Sequence, residues 1–294
     1  MAEIKVTLPD ESTRTLPEGS TGADLAADVG RSLAKAAIAL TVNGETKDLS
    51  KHLSDGDAVS VITSDTEDGL YVLRHSTAHV LAQAVLSIWE GATYAIGPPI
   101  KDGFYYDFEL PGGATFTEDD LTNIEKRMRE IIKEDQHFER HEVPSEEALE
   151  LFVNHKFKKE IIERVSTGEM DSEISNEASA EGIISYYKNG QDFVDLCTGP
   201  HVPSTGKLGH FALQKVAGAY WRGDEKQPML QRIYGTAWAS KKDLEDYLER
   251  LAEAEKRDHR RLATELDLVS WPEDLGPGLA VWHPKGSLIR KVIE

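Results

Sequence analysis

Polar and apolar side chains alternate through residues 3–9 (EIKVTLP), the period of a strand with one buried face. A turn at Pro9-Asp10 and a second short stretch over 14–16 predict a hairpin. From Gly22 to Leu40 the period lengthens, with Leu25, Val29, Leu33, Ala36 and Ala37 at helical spacing. Thr41-Val42 then runs into Asn43-Gly44, a pair that favours a two-residue hairpin turn, and AVSVI at 58–62 reads as a final strand.

Two strands, a helix and further strands in this order predict a β-grasp, ubiquitin-like module over residues 1–63, closed by the acidic stretch SDTEDG at 64–69. Residues 72–89 read as a helix with Val80, Leu81, Ala84, Val85 and Ile88 as its buried stripe. The aromatic-rich segment 94–110 is turn and strand, and 117–135 is a second helix opened by a capping box of Thr117 and Asp120. Residues 144–153 and 158–165 are helical in pattern, whereas 183–196, 208–216 and 230–237 have strand character. The mixture predicts an α+β domain over 64–240. Residues 241–268 follow as one long amphipathic helix with Leu244, Leu248, Leu251, Leu262 and Leu266 on its apolar stripe. A Pro/Gly-rich loop and an opening apolar helix fill 269–294, which is expected to be the truncated start of a further domain.

The 294 residues hold 33 Lys and Arg against 52 Asp and Glu, a formal net charge of −19. Hydrophobic residues at 39% and charged residues at 29% describe a soluble globular chain, and no run approaches the roughly 18 apolar residues of a membrane span. The first residues, MAEIKVTLPDES, lack the basic and apolar regions of a secretory signal. A single cysteine, Cys197, excludes an intrachain disulfide and fits a reducing compartment, so a cytoplasmic location is expected. Bulk charge argues against nucleic acid, but the acidity is uneven: residues 241–294 carry 10 basic and 12 acidic side chains, only −2. Lys256, Arg257, Arg260 and Arg261 form the densest basic cluster, either a solvated helix face or a phosphate-binding strip.

The candidate chemistry is concentrated in two strings. His75-Ser76-Thr77-Ala78-His79 puts two imidazoles at i and i+4 on one helix face, where both reach a single atom. Ser76 stands where a zinc peptidase needs glutamate, which removes that reading. Cys197-Thr198-Gly199-Pro200-His201 supplies a thiol and a third imidazole, so His75, His79, Cys197 and His201 have the makings of a tetrahedral zinc site or of a direct substrate pocket. Asp195 shares the strand face of Cys197, and Lys158 in HKFKKEII is a candidate neighbouring cation.

In this order the motifs resemble the N-terminal half of a bacterial-type threonyl-tRNA synthetase: RHSTAHVLAQA at 74–84, YAIGPPIKDGFYYDF at 94–108, DLCTGPHVPSTG at 195–206, GAYWRGDE at 218–225 and LQRIYGTAW at 230–238. The resemblance implies a TGS-like module at 1–63, a tRNA editing (deacylase) domain at 64–240, a linker helix at 241–268 and the start of a class II core with its first motif at 269–294. It implies hydrolysis of seryl-tRNA(Thr), with catalytic roles for His75, His79, Lys158, Asp195, Cys197 and His201. Lys156 and Lys159 remain neighbouring alternatives to Lys158, and Cys197 as an acyl-accepting nucleophile is a rival within the same site. Gly97 and Tyr106 are implied contacts of the terminal adenosine and aminoacyl group, and the basic cluster at 256–261 a contact of the tRNA. ATP, magnesium and a core zinc would belong to an aminoacylation domain beyond this sequence, as would most of the family's dimer interface, so a monomer is expected, with neither DNA nor membrane as a partner. Two other classes stay open: a tRNA-binding fragment without activity, and a zinc-dependent hydrolase of another substrate.

Overall fold

Ile4 and Val6 point inward along β1 (Glu3–Thr7), which pairs antiparallel with β2 (Thr13–Pro17) in a computed structural model of the chain. The structure describes residues 2–167, 182–191, 193–276 and 278–294; Asp192 of the predicted 183–196 strand and Pro277 of the terminal segment lie outside the described residues. Helix α1 (Gly22–Val29) starts at a reciprocal capping box of Thr21 and Asp24. The single helix expected through Leu40 is corrected: α1 stops at Gly30, α2 (Arg31–Ala36) is short, and β3 (Ala37–Val42) follows directly. Ala37, Ile38, Ala39, Leu40 and Val42 are all buried, and a run with both faces covered suits a central strand better than an amphipathic helix.

Strand β3 lies between β4 (Glu45–Asp48) and β5 (Val59–Thr63), both antiparallel to it, and Thr7 bridges Ala58 in parallel. Leu25 and Ala26 of α1 close over Ile4, Val6, Leu16 and Leu40. This is a β-grasp module, with β4 as its edge strand.

Helix α3 (Glu67–Ile88) begins five residues before the apolar stripe predicts, because Thr66 caps it by accepting the Gly69 N–H at 3.0 Å. It is buried on every face from Val72 to Ala82, while Ile88, expected in the stripe, is exposed at its end. Strands β6 (Thr93–Tyr94), β7 (Pro99–Ile100) and β8 (Gly103–Glu109) follow, then α4 (Glu118–Lys133) on its Thr117–Asp120 capping box. Next come β9 (Phe138–Pro144), α5 (Ser145–Leu151), α6 (Lys156–Ser166), β10 (Ile183–Asn189), β11 (Phe193–Leu196), β12 (His210–Tyr220) and β13 (Met229–Trp238). One antiparallel sheet runs β12-β13-β8-β6 with β7 on β8, and a second runs β11-β10-β9. Helices α3 and α4 share a core with the first through Val80, Leu81, Ile124, Met128, Phe104 and Phe108. Phe152, Phe157, Ile161 and Ile162 of the α5–α6 region pack with Ile184 and Leu196 of the second.

Residues Lys242–Glu294 form a separate unit. The expected continuous helix over 241–268 is corrected to α7 (Lys241–Lys256) and α8 (His259–Glu265). Asp258 interrupts it: its carboxylate accepts the Arg260 N–H at 2.8 Å, a local bond that competes with helical continuation and caps the next helix. Strands β14 (Val269–Ser270) and β15 (Val281–Trp282) pair before α9 (Pro284–Ile293). Among the described residues no helix is long and apolar enough to cross a membrane.

Gly103 sets the approach of β8 to β13: a Cβ there would lie 2.1 Å from the carbonyl oxygen of Gly235. Gly103→Ala should therefore cost about 1–3 kcal/mol of stability, read as a lower urea midpoint at unchanged slope. An unshifted midpoint would show that the two strands can separate freely.

Candidate active site

One helical turn separates His75 from His79 on α3, with ring centroids 5.2 Å apart. Strand β11 brings Asp195 up to them, and the chain beyond it, residues 197–202, returns Cys197 and His201 to the same place. Cys197 Sγ lies 3.2 Å from His75 Nε2 and 3.5 Å from His201 Nε2, and the Gly199 N–H points at the sulfur from 3.1 Å. The His201 ring is 4.1 Å from that of His79 and 4.4 Å from that of His75, and stacks on Phe138. None of the four residues is more than 3% exposed.

Ser76, between the two helical histidines, orients His201. Its hydroxyl donates to the Val72 carbonyl at 2.8 Å, and its oxygen accepts the Val202 N–H at 3.0 Å. The single hydroxyl proton is thereby used, so His201 Nδ1, 3.0 Å away, is the protonated nitrogen and donates to Ser76. That leaves the lone pair on Nε2 facing Cys197.

The second half of the site is a buried ion pair. Lys158 Nζ lies 2.8 Å from Asp195 Oδ1, with the two side chains 0% and 1% exposed. Tyr106 donates its hydroxyl to Asp195 Oδ2 at 2.5 Å, and His79 Nε2 approaches the same oxygen at 3.4 Å. The rings of Tyr94 and Tyr106 flank the ammonium at 5.4 and 5.8 Å. Burial separates the three lysines of KFKKE: Lys156 and Lys159 point outward to Glu109 and Glu163, and Lys158 alone of them enters the site.

Burial holds His75 down to about 3, with His79 as a second cause. It pushes His79 well below the ordinary imidazole range, assisted by Lys158, and His201 likewise, assisted by His79 and His75. Near neutral pH all three rings are therefore uncharged.

Two expected contacts are placed differently. Tyr106 is 1% exposed, its ring stacks on Phe108, and the Gly97 backbone covers it so closely that a Cβ on Gly97 would meet its ring at 2.1 Å. The ring has no face to offer a base; its hydroxyl secures Asp195, and Gly97 makes room for it. The sequence reading missed Ser76, Tyr94 and His155. The last begins α6, its ring 5.0 Å from that of Tyr94, and lies within the electrostatic reach of Asp195 and Lys158. Only Ser76, inside the His-x3-His string, had a local signal.

The donor atoms of His75, His79, Cys197 and His201 all lie within 4.8 Å of one another. Tetrahedral zinc with nitrogen and sulfur ligands requires separations of roughly 3.3–3.6 Å, close to the two sulfur–nitrogen distances here, and Ser76 supplies the outer support that a ligating imidazole needs. The residues fit a metal ion as well as they fit a metal-free cluster. In the separate unit, Lys256 and Arg257 both pair with Glu253, Arg260 with Asp258 and Arg261 with Glu265 at 2.8–3.6 Å.

Residues 4–63 match the TGS domain, and residues 184–234 match the second additional domain of threonyl and alanyl tRNA synthetases. The chain is similar over 98% of its length to the threonine–tRNA ligase of Acidithiobacillus ferrooxidans, 53% identical across 291 residues and 43% of that protein. It is 48% identical to the enzyme of Citrifermentans bemidjiense over 100% of this chain and 44% of that one, and 48% identical to that of Rubrobacter xylanophilus over 98% and 43%. The chain thus spans less than half the length of these relatives and is similar to their N-terminal part.

Removing Lys158 alone would leave Asp195 buried and unpaired. Lys158→Met should cost about 3–5 kcal/mol in denaturant unfolding, and adding Asp195→Asn should recover part of that loss. Additive losses in the double variant would contradict a coupled pair.

Proposed function

We propose that this chain is a proofreading unit that hydrolyses serine wrongly esterified to tRNA(Thr). The observation that carries the reading is a set of uncharged imidazoles packed, out of water, against the Lys158–Asp195 pair, next to a strand pair inside the matched synthetase segment. The partner is the acceptor end of tRNA(Thr), and the location cytoplasmic. Attachment of threonine with ATP is assigned to the part of the relatives that this chain does not match.

The need for such a unit follows from small energies. Serine lacks only one methyl of threonine, a difference worth about 1–3 kcal/mol in a binding pocket. A second site that admits the smaller residue and hydrolyses its ester supplies the remaining accuracy.

The chemistry is carried by proton acceptance and charge stabilisation. A water attacks the seryl carbonyl while a neutral imidazole takes its proton. Two rings are placed for this: His75, and His79, whose Nε2 is held by Asp195 so that Nδ1 carries the lone pair. Lys158, ion-paired with Asp195, supplies the positive charge that stabilises the developing oxyanion. The proton then passes to the ribose oxygen as the ester bond breaks, releasing serine and the free tRNA end. Cys197 and His201 complete the cluster around these two rings.

The four-donor geometry favours a second version of the same activity. A zinc ion held by three of His75, His79, Cys197 and His201 would carry at its fourth position a water of lowered pKa, whereas all four as ligands would close the site and make the ion structural. Metal analysis of the purified chain and turnover with a chelator separate the two.

The test is loss of label from seryl-tRNA(Thr) beside threonyl-tRNA(Thr). The seryl ester should be cleared far faster, and His75→Ala should slow it by about 10²–10⁴-fold, the usual worth of a positioned base, without unfolding the chain. Wild-type turnover in folded His75→Ala would remove His75 from the mechanism. Absence of turnover in the wild type would favour the binding-fragment reading.

A further inference from the structure

One carboxylate of the β-grasp module ends inside the neighbouring site. Asp48 closes the edge strand β4, and its side chain turns away from the module. Oδ1 accepts the backbone N–H of His201 at 2.8 Å, and Oδ2 accepts the Tyr187 hydroxyl at 2.6 Å. Tyr187, on β10, sets its ring edge-on to the His201 imidazole, centroids 4.4 Å apart at 75°. Its hydroxyl also occupies the space beside Gly199, where a Cβ would lie 2.0 Å from the oxygen. Gly199 has φ +77°, a conformation glycine adopts without strain, and its N–H reaches the Cys197 sulfur. Each of these contacts bears on the short segment that carries Cys197 and His201.

The environment of the carboxylate fits such a task. Burial pushes the Asp48 carboxyl up, and the Tyr187 hydroxyl, the His201 N–H and the nearby Arg140 and Lys47 oppose that. Tyr187 in turn is held protonated far above its ordinary range by burial and by Asp48, so it remains a donor. A cavity of about 360 Å³ lined by Lys47, Asp48, Arg140, Tyr187, Thr198 and Pro200 keeps the carboxylate beside two cations rather than in an apolar wall. The module's own core does not need Asp48: its packing residues are Leu25, Leu40, Val6 and their neighbours.

We infer that Asp48 is a positioning residue for the hydrolytic site, through which the β-grasp module holds residues 197–202 and so fixes His201 and Cys197 against His75. The inference rests on the hydrolytic reading above for its kinetic part and on the hydrogen bonds alone for its structural part. A mere contact between two domains would anchor framework residues. Here both carboxylate oxygens act on the segment bearing the reactive groups, one directly and one through Tyr187.

The experiment uses the 294-residue chain with four single substitutions: Asp48→Ala, Asp48→Asn, Tyr187→Phe and, as a control, Glu3→Ala, an exposed position on β1. Two readouts are taken: kcat and KM for seryl-tRNA(Thr), and amide hydrogen exchange over residues 197–202. Asp48→Ala should lower kcat by about tenfold to a hundredfold, the scale of a lost charged hydrogen bond, at nearly unchanged KM, and speed exchange at His201. Asp48→Asn, which keeps the acceptor for His201, should recover most of both. Tyr187→Phe should fall between, and Glu3→Ala should match the wild type. A folded Asp48→Ala with wild-type kcat overturns the inference, as does a loss that Asp48→Asn does not recover. If the wild type itself fails to hydrolyse the ester, the hydrolytic reading falls. Exchange then decides: faster exchange in Asp48→Ala with recovery in Asp48→Asn supports the inference, and unchanged protection overturns it. Should Asp48→Ala not fold, the same comparison is made between Asp48→Asn and Tyr187→Phe, where equal wild-type values overturn it.

Discussion

Lys158 and Asp195 meet at 2.8 Å with almost no access to water, and a pair so placed dictates its surroundings. Removing both charges from water costs several kcal/mol each, which their attraction offsets only if the remaining lone pairs and protons are also satisfied. Tyr106 and His79 complete Asp195, and the faces of Tyr94 and Tyr106 flank the ammonium. Those partners come from β6, β8, α3, α6 and β11, so the pair holds together only when both sheets and their helices are assembled. The site is therefore a product of the whole domain rather than of any one motif.

The same interior accounts for the state of the imidazoles. Burial is the largest cause of their lowered proton affinity, and Lys158 adds to it at His79. A charged imidazolium would have no solvent to stabilise it, so a ring that takes a proton in hydrolysis depends on a carboxylate, as His79 has in Asp195. The metal-free and zinc-bound versions draw on this one property, because a ligating imidazole must also be neutral. Ser76 serves either version by fixing which nitrogen of His201 faces the thiol.

Much of this was legible in the sequence where the signal is local. Alternation and helical spacing located nearly every element of 64–240, and the Thr117–Asp120 cap was readable outright. The i,i+4 histidines and the Cys-x3-His string pointed at one cluster because helix and strand geometry fix which side chains share a face. The errors have one cause: periodicity cannot see what covers a segment. Residues 37–42 are apolar enough for either helix or strand, and burial by the β-grasp sheet decides for strand. At 258 a side-chain bond to the backbone interrupts a pattern that continues through it. In the site, three lysines in KFKKE are equivalent on paper, and only the packing of α6 buries Lys158. Tyr106 was a contact of the terminal adenosine and aminoacyl group only by resemblance, and sequence does not show that packing turns its hydroxyl to Asp195.

Asp48 is the extreme of that limit, since 153 residues separate it from His201 and nothing local marks it. Its placement bears on what the acidic N-terminal segment contributes. Residues 1–70 carry a net charge of −7, ill suited to hold phosphates, and the charge argues for contacts with protein. One such contact is now specific: an edge-strand carboxylate spends its two oxygens on His201 and Tyr187. The separation that matters, between the imidazoles of α3 and the thiol and imidazole of 197–202, is thus held from two sides. The core under the first sheet fixes α3, and the β-grasp edge fixes the loop. A shift of either support would open the cluster by a fraction of an ångström, and positioned catalysis is sensitive at that scale.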